Sequence, residues 1–329
     1  MDHINTGSID VVITWVDGND QKLTQKRQQY LSKDTASDAS STTRFASNDE
    51  IYFCVASILK YFPECGNIYI VTDQQKPQFI DDFAKENLCA SDKIQIIDHQ
   101  VLFTGYTQHL PVFNSLSIET LLWNIPHLSN EFIYFNDDIF LNAYLAKEDC
   151  FIADKVVIYG HWQSNTLLKT KYLFRKLLNK WFGKTLEPRF TIAQMLSADL
   201  IGMPQHYVLD HRPHFLQVKV LRDYFEANLE ILNRQISYKF RDFEQFLPMG
   251  LANHLAVKHD QAILREDVSV AYIKPNDDTA KFEQQLKQED IQYGCIQSLD
   301  QMSAEDQHLI HKLMINKLFD YLPKVIKGM

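Results

Sequence analysis

The sequence predicts an α/β fold: a parallel or mixed sheet covered by helices, with a mostly helical second half closing the crevice. Three observations predict it. Short β-branched runs alternate with helically spaced apolar residues as far as about residue 160, and beyond that point the pattern is mainly helical. Hydrophobic residues make up 45% of the 329, enough for a sizeable core. Two portions follow, 1–160 as the α/β core and 161–329 as the helical part that completes it, in one compact unit.

The first strand is Ile9 to Val16, a run of β-branched residues that ends in the polar turn Asp17-Gly18-Asn19-Asp20. Residues 34–43 are too rich in Ser, Thr and Asp to pack and read as a loop. Helical spacing recurs from Asn48 to Phe62. Further strands are expected at Asn67 to Thr72, Lys93 to Asp98 and Glu131 to Phe135, with helical segments near 77–85 and 115–123 between them. In the second half the spacing predicts helices over 165–180, 214–232, 242–258, 279–289 and 303–321. The basic run 169–189 reads first as a solvated face. The stretch Leu309 to Lys327 reads as a core-docking amphipathic helix, with Lys312, Lys317, Lys324 and Lys327 on its exposed side.

Composition excludes several classes. With 33 Lys and Arg against 42 Asp and Glu, the formal charge of −9 argues against a nucleic-acid partner. All ten glycines are isolated, so neither a GxGxxG turn nor a GxxxxGK[ST] loop exists. The five cysteines are odd in number and never spaced as CxxC, and read as reduced thiols. A polar N-terminus and the lack of a long apolar run predict a cytoplasmic protein with neither a standard export signal nor a membrane span.

In open α/β sheets ligands bind beyond the carboxyl ends of strands, so acidic residues just after a strand come first. Asp17 to Asp20 qualify, as a pair of carboxylates facing one crevice or as a plain turn with a helix cap. Asn136-Asp137-Asp138 qualifies too, since adjacent carboxylates after a buried strand suit Mg²⁺ or Mn²⁺ against a diphosphate. The same tripeptide at Asn276-Asp277-Asp278 precedes a helix and reads as a cap. His211-Arg212-Pro213-His214 sets two imidazoles and a guanidinium before a segment that Pro213 is expected to start as a helix. Arg44 and Arg241 alone would read as surface ion pairs.

Taken in order, these pieces resemble the Stealth family of sugar-phosphate transferases. The blocks are IDVVITWVDGND (Ile9 to Asp20), Arg44-Phe45 through Glu50 to Ile58, IYIVTDQQKP (Ile68 to Pro77), IIDH (Ile96 to His99), LPVFNSLSIE (Leu110 to Glu119), FIYFNDDIFL (Phe132 to Leu141) and HRPHF (His211 to Phe215), followed by Arg241. Tyr52 and Ala56 stand where the family's second block has arginines, and the fourth block survives only as Gly294 to Asp300. The resemblance implies a nucleotide-sugar transferase-like fold and transfer of a hexose or hexosamine 1-phosphate from a UDP-sugar to an oligo- or polysaccharide hydroxyl, with release of UMP. It further implies that His211, Asp17, Arg44 and Arg241 are catalytic. Asp20, Asn114, Asn136 and His214 would bind substrate, and Asp137 and Asp138 would hold Mg²⁺ or Mn²⁺. Work at the inner membrane face beside the capsule machinery is expected, with the basic run holding an anionic polymer. The alternatives are a metal-dependent glycosyltransferase that releases UDP and a non-catalytic carbohydrate-binding protein.

Overall fold

The computed structural model describes residues 8–31, 48–182 and 186–328. The loop expected at 34–43 and the candidate residue Arg44 lie outside them.

The first half runs β1 (Ile9–Thr14), α1 (Gln21–Gln28), α2 (Glu50–Tyr61), β2 (Cys65–Thr72), α3 (Asp82–Lys85), β3 (Ile94–Asp98), α4 (His99–Leu102), α5 (Ser115–Glu119) and β4 (Glu131–Asn136). Then come β5 (Ile139–Leu141), α6 (Lys147–Cys150), β6 (Phe151–Ile152), β7 (Lys155–Tyr159) and β8 (His161–Ser164). The second half continues with α7 (Thr166–Phe182), α8 (Phe190–Asp199), β9 (Gln205–Val208), β10 (His214–Gln217), α9 (Val218–Ala227), α10 (Leu229–Ser237) and α11 (Pro248–Lys258). It closes with β11 (Ala262–Arg265), β12 (Val270–Ile273), α12 (Thr279–Leu286), β13 (Tyr293–Ile296) and α13 (Ala304–Leu318). The fold is mixed α/β, as predicted.

The central sheet has the order β10-β4-β1-β2-β3, in which β4, β1, β2 and β3 are parallel and β10 is an antiparallel edge. Parallel strands are covered on both faces, which is why β1 and β4 carry near-continuous apolar runs: Val11, Val12, Ile13, Phe132, Ile133 and Phe135 are all buried. The chain leaves β1 toward β2 on one side and reaches β4 on the other, so the topological switch point lies between the C-terminal ends of β1 and β4.

At the opposite ends of the strands Asp10 ties β1 to β2 and to the segment just before β4. Its Oδ1 accepts from Asn67 N at 2.7 Å and its Oδ2 from Ser129 N at 2.8 Å, while Asp10 N donates to Ser129 Oγ at 2.9 Å. The Gly66 backbone passes so close that a Cβ there would sit 2.3 Å from Asp10 Oδ1.

The second half packs on this sheet mainly through helices, but it also supplies strands that the sequence patterning does not reveal. Pro213 leads into β10 and not into a helix: the segment pairs with β4 from His214↔Tyr134 to Gln217↔Glu131, and Phe215 and Leu216 are both buried in that pairing. The helix expected from residue 214 therefore begins at Val218. The helix α13 buries Ile310, Met314 and Leu318 and is core-docked as expected, but it ends at Leu318, so Lys324 and Lys327 lie beyond it. Lys317 is not on its exposed side: its Nζ reaches Leu286 O at 2.8 Å, and burial beside Lys60 pulls its pKa down to about 8. Among the described residues no helix is long and apolar enough to cross a membrane.

Removing the Asp10 carboxylate strands two backbone donors, Asn67 N and Ser129 N, at the N-terminal ends of the central strands. Asp10→Ala is expected to destabilise the fold by about 2–4 kcal/mol in urea unfolding. A loss under about 0.5 kcal/mol would mean that water replaces those bonds freely.

Candidate active site

At the switch point a cavity of about 560 Å³ opens beyond the C-terminal ends of β1 and β4. Seven expected site residues line it together: Asn114, Asn136, Asp137, Asp138, His211, His214 and Arg241.

Asp137 and Asp138 form the turn between β4 and β5. The turn is gripped from outside the central sheet, because β5 pairs with β13 antiparallel and Ile296 N donates to Asp138 O at 2.9 Å. Cys295 Sγ thereby comes to 3.6 Å from Asp138 Oδ2 and donates to it, while Asp138 Oδ1 is buried with no hydrogen-bond partner. A third carboxylate, Glu50, lines the same floor from the first turn of α2. Ser57 fixes that helix against β5 by accepting from Leu141 N at 2.9 Å, and the Glu50 carboxylate accepts from Asn48 N.

Burial and mutual repulsion set the electrostatics. Desolvation, then the charges of Asp138 and Glu50, push Asp137 well above the carboxylate range. Glu50 is pushed up to about 7 by burial, against the pull of its backbone hydrogen bonds. Asp138 is raised by burial and partly offset by His211 and the Cys295 thiol. Glu119 and Asp242, which line the same cavity, are raised by burial as well, so five of its carboxyl groups resist ionisation.

The basic and aromatic walls face this floor. His211 is stacked between Phe190 at 5.9 Å and Tyr272 at 5.7 Å, rings that fix its plane. Arg241 donates through Nη2 to Ser115 Oγ at 2.6 Å, and its charge opposes the burial that raises the Glu119 pKa. Glu119 accepts from Tyr134 OH at 3.2 Å, and that hydroxyl also reaches Asn136 Oδ1 at 2.7 Å and Thr14 Oγ1 at 2.9 Å. The Asn136 amide is thus held at the strand end. His214 stacks on Tyr134 at 6.3 Å, and burial, with Arg212 beside it, lowers its pKa to about 3, so it stays neutral at pH 7.

Other candidates hold the framework. Asn114 Nδ2 donates to Gln245 Oε1 at 2.7 Å and to Phe240 O at 3.1 Å, anchoring the 238–245 loop that carries Arg241. Asp17 and Asp20 do not line the cavity. Asp17 Oδ1 accepts from Asn19 N at 2.9 Å, and Asp20 Oδ1 accepts from Lys22 N at 2.6 Å and Leu23 N at 3.0 Å as the N-cap of α1. Here the turn-and-cap alternative is the one the geometry matches. Arg212 also turns away, donating to Tyr159 O with its guanidinium 5.1 Å above the Tyr159 ring. The second NDD copy caps α12 through Asp278 Oδ1 and Ala280 N at 2.9 Å. Tyr52 and Ala56 are buried in the core and do not line the cavity.

Sequence reasoning missed Glu50 and His99 as lining groups. A lone Glu at a helix start reads as a favourable charge on the helix dipole, so Glu50 gives no separate signal. His99, the last residue of IIDH, lines the cavity at the β3 side with its Nδ1 buried and unpartnered, and burial lowers its pKa to about 4.

Residues 44–158 match Stealth protein CR2, conserved region 2, and residues 7–35 match Stealth protein CR1, conserved region 1. The chain is 36% identical over 198 residues to capsular polysaccharide phosphotransferase cps12A of Actinobacillus pleuropneumoniae, covering 56% of this chain and 51% of that protein. It is 31% identical over 244 residues to capsular polysaccharide phosphotransferase LcbA of Aeromonas hydrophila, covering 73% and 60%. With exopolysaccharide phosphotransferase cps2G of Lactiplantibacillus plantarum the identity is 37% over 251 residues, and 71% of each chain is covered. The match to cps12A spans about half of that protein's length, 51%. The two conserved-region matches and the shared 71% of the Lactiplantibacillus protein establish that this chain belongs to the Stealth family.

Proposed function

We propose that this chain transfers a hexose or hexosamine 1-phosphate from a UDP-sugar to a hydroxyl of an oligo- or polysaccharide acceptor, in capsular or other cell-surface polysaccharide synthesis. The observation that carries the reading is the meeting of Glu50, Asp137 and Asp138 with His211 and Arg241 around one cavity at the switch point. The names of its relatives, phosphotransferases of capsular polysaccharide and exopolysaccharide, support the reaction class.

In this reading the acceptor oxygen bonds to the sugar-bearing phosphorus as the bond from that phosphorus to the bridging oxygen breaks. UMP leaves with the bridging oxygen, and the acceptor proton passes to His211. Phe190 and Tyr272 hold that imidazole in one plane, which orients its ring nitrogen toward the acceptor. Arg241, braced by Ser115 and Glu119, offsets charge on the diphosphate. His99, neutral and with an unpartnered Nδ1, is assigned a hydrogen bond to the nucleotide at the β3 end of the cavity.

The acidic floor fits Mg²⁺ or Mn²⁺, because the buried Asp138 Oδ1 has no partner of its own. Asp137 and Asp138 would hold the cation with Glu50 beside them, and it would supply charge neutralisation at the diphosphate. Among the described residues no group of three acidic, histidine or cysteine side chains is arranged to hold a metal alone.

Turnover with a UDP-sugar and a capsule-type acceptor is expected to yield UMP, identified by chromatography. UDP as the sole nucleotide product would move the protein to glycosyl transfer.

The two NDD copies separate site from cap. Asp138→Asn is expected to lower kcat/KM at least about 10²-fold, while Asp278→Asn, in a solvated cap, leaves it within about two-fold. Equal losses in two variants with unchanged circular dichroism would remove Asp138 from the site.

His211→Ala is expected to lower kcat about 10²–10⁴-fold with UDP-sugar affinity within a few-fold, whereas Arg241→Ala weakens both. Calorimetric loss of donor binding in His211→Ala as severe as in Arg241→Ala would make His211 a phosphate contact and not the base.

A further inference from the structure

None of the 17 residues of α7 is buried. Leu167, Phe174 and Trp181 recur every seventh residue and so lie along one line of the helix surface, where they are 64%, 60% and 69% exposed. Leu173 and Leu177 widen this ridge, and Phe182 ends it. Single exposed apolar side chains are ordinary on a protein surface, but a ridge about 22 Å long marks a docking face. The other side of the helix holds it down: Lys169 pairs with Asp199 at 2.5 Å, Lys176 pairs with Glu244, and the Tyr172 ring lies 6.1 Å from Phe243.

Charge points to what covers the ridge. The helix contains Lys169, Lys171, Arg175, Lys176 and Lys180 and no acidic residue, in a chain whose formal charge is −9. Among the described residues Lys171, Arg175 and Lys180 have no salt-bridge partner, and helical spacing puts them on the two flanks of the ridge, Lys171 and Arg175 on one and Lys180 on the other. Two copies of the chain joined ridge to ridge would press these cations together. An apolar stripe of Trp, Phe and Leu between unpaired cations matches an anionic lipid surface, with aromatic rings at the boundary and ammonium groups at the headgroups.

We propose that α7 is an interfacial helix that lies in the headgroup layer of an anionic bilayer, with Leu167, Phe174 and Trp181 toward the acyl chains. The basic run thus serves a lipid surface instead of the solvated-face or polymer-holding roles read from sequence. Phe243, which Tyr172 touches, and Pro188 to Phe190 beyond the helix all line the cavity, so this attachment holds the cavity wall beside the lipid. The proposal stands independently of the phosphotransfer reading.

The test is co-flotation of the full chain with vesicles of phosphatidylcholine alone or with 30% phosphatidylglycerol (about one lipid in three, as in an anionic leaflet). Binding is expected to be at least about ten-fold stronger with phosphatidylglycerol and to fall with added salt. Phe174→Ser with Trp181→Ser should reduce it at least about ten-fold, as should Lys171→Glu with Arg175→Glu. Both variants should keep the circular dichroism and unfolding temperature of the parent, since α7 contributes nothing to the core. Failure to float with either vesicle overturns the proposal. So does binding abolished by the charge variant but untouched by the apolar variant, which would indicate a polyanion groove. A dimer in sedimentation velocity that the apolar variant dissolves, without vesicle binding, assigns the ridge to a second copy and also overturns it.

Discussion

The parallel pairing of β1 with β4, in the register Thr14↔Asn136, is the constraint on which the site depends. It closes the sheet across the switch point, so that the chain leaves β4 at the same edge where β1 ends. Parallel strands demand apolar cover on both faces, and the buried runs of β1 and β4 supply it. Polar groups are then confined to the strand ends. Asp10 satisfies the backbone at one end, and the turn at Asp137 and Asp138 faces the cavity at the other.

What makes that turn chemically unusual is how it is held. A strand from the chain's last fifth, β13, clamps the exit of β4 and brings the Cys295 thiol to Asp138, while α2 delivers Glu50 and is fixed to β5 through Ser57. Gly294 permits the clamp, since a Cβ there would lie 2.1 Å from the Phe140 ring. Three carboxyl groups are therefore packed by rigid elements into a place where burial and mutual repulsion oppose their ionisation. Burying like charges with a partner missing is costly, and elements this rigid cannot spread them apart. In the proposed reading a cation together with a diphosphate would supply the compensation, which ties the electrostatics to the proposed chemistry.

Much of this was legible in the sequence, and the rest was not for identifiable reasons. β1 and β4 show as apolar runs because a parallel strand covered on both faces has no polar face to confuse the pattern, and β2 and the edge strand β3 show through their Ile and Val residues. The two NDD copies are told apart by what precedes them, an apolar strand for Asp138 and a Lys-Pro for Asp278. Asp17 and Asp20 misled because a strand-end carboxylate and a helix cap have the same local sequence, and only the bonds to Asn19, Lys22 and Leu23 separate them. The strand β10 was hidden by its brevity and by Pro213, which can open a helix or enter an edge strand. The approach of Cys295 to Asp138 spans 157 residues, and no local pattern encodes it. The ridge of α7 was read as charge, because periodicity shows an apolar face without showing whether the core covers it.

The central claim, that Glu50, Asp137 and Asp138 form an acidic floor awaiting positive charge, is tested most directly by titrating the protein with Mg²⁺ in the presence of UDP at pH 7. The titration is run by calorimetry in two buffers of different ionisation enthalpy. Acids whose pKa values are raised by burial retain protons without a cation, with Glu50 half protonated near its value of about 7, and a cation drawn among them must displace those protons. The account predicts Mg²⁺ binding with net proton release, reduced in Asp138→Asn. Binding that releases no protons, or that Asp138→Asn leaves unchanged, would contradict it.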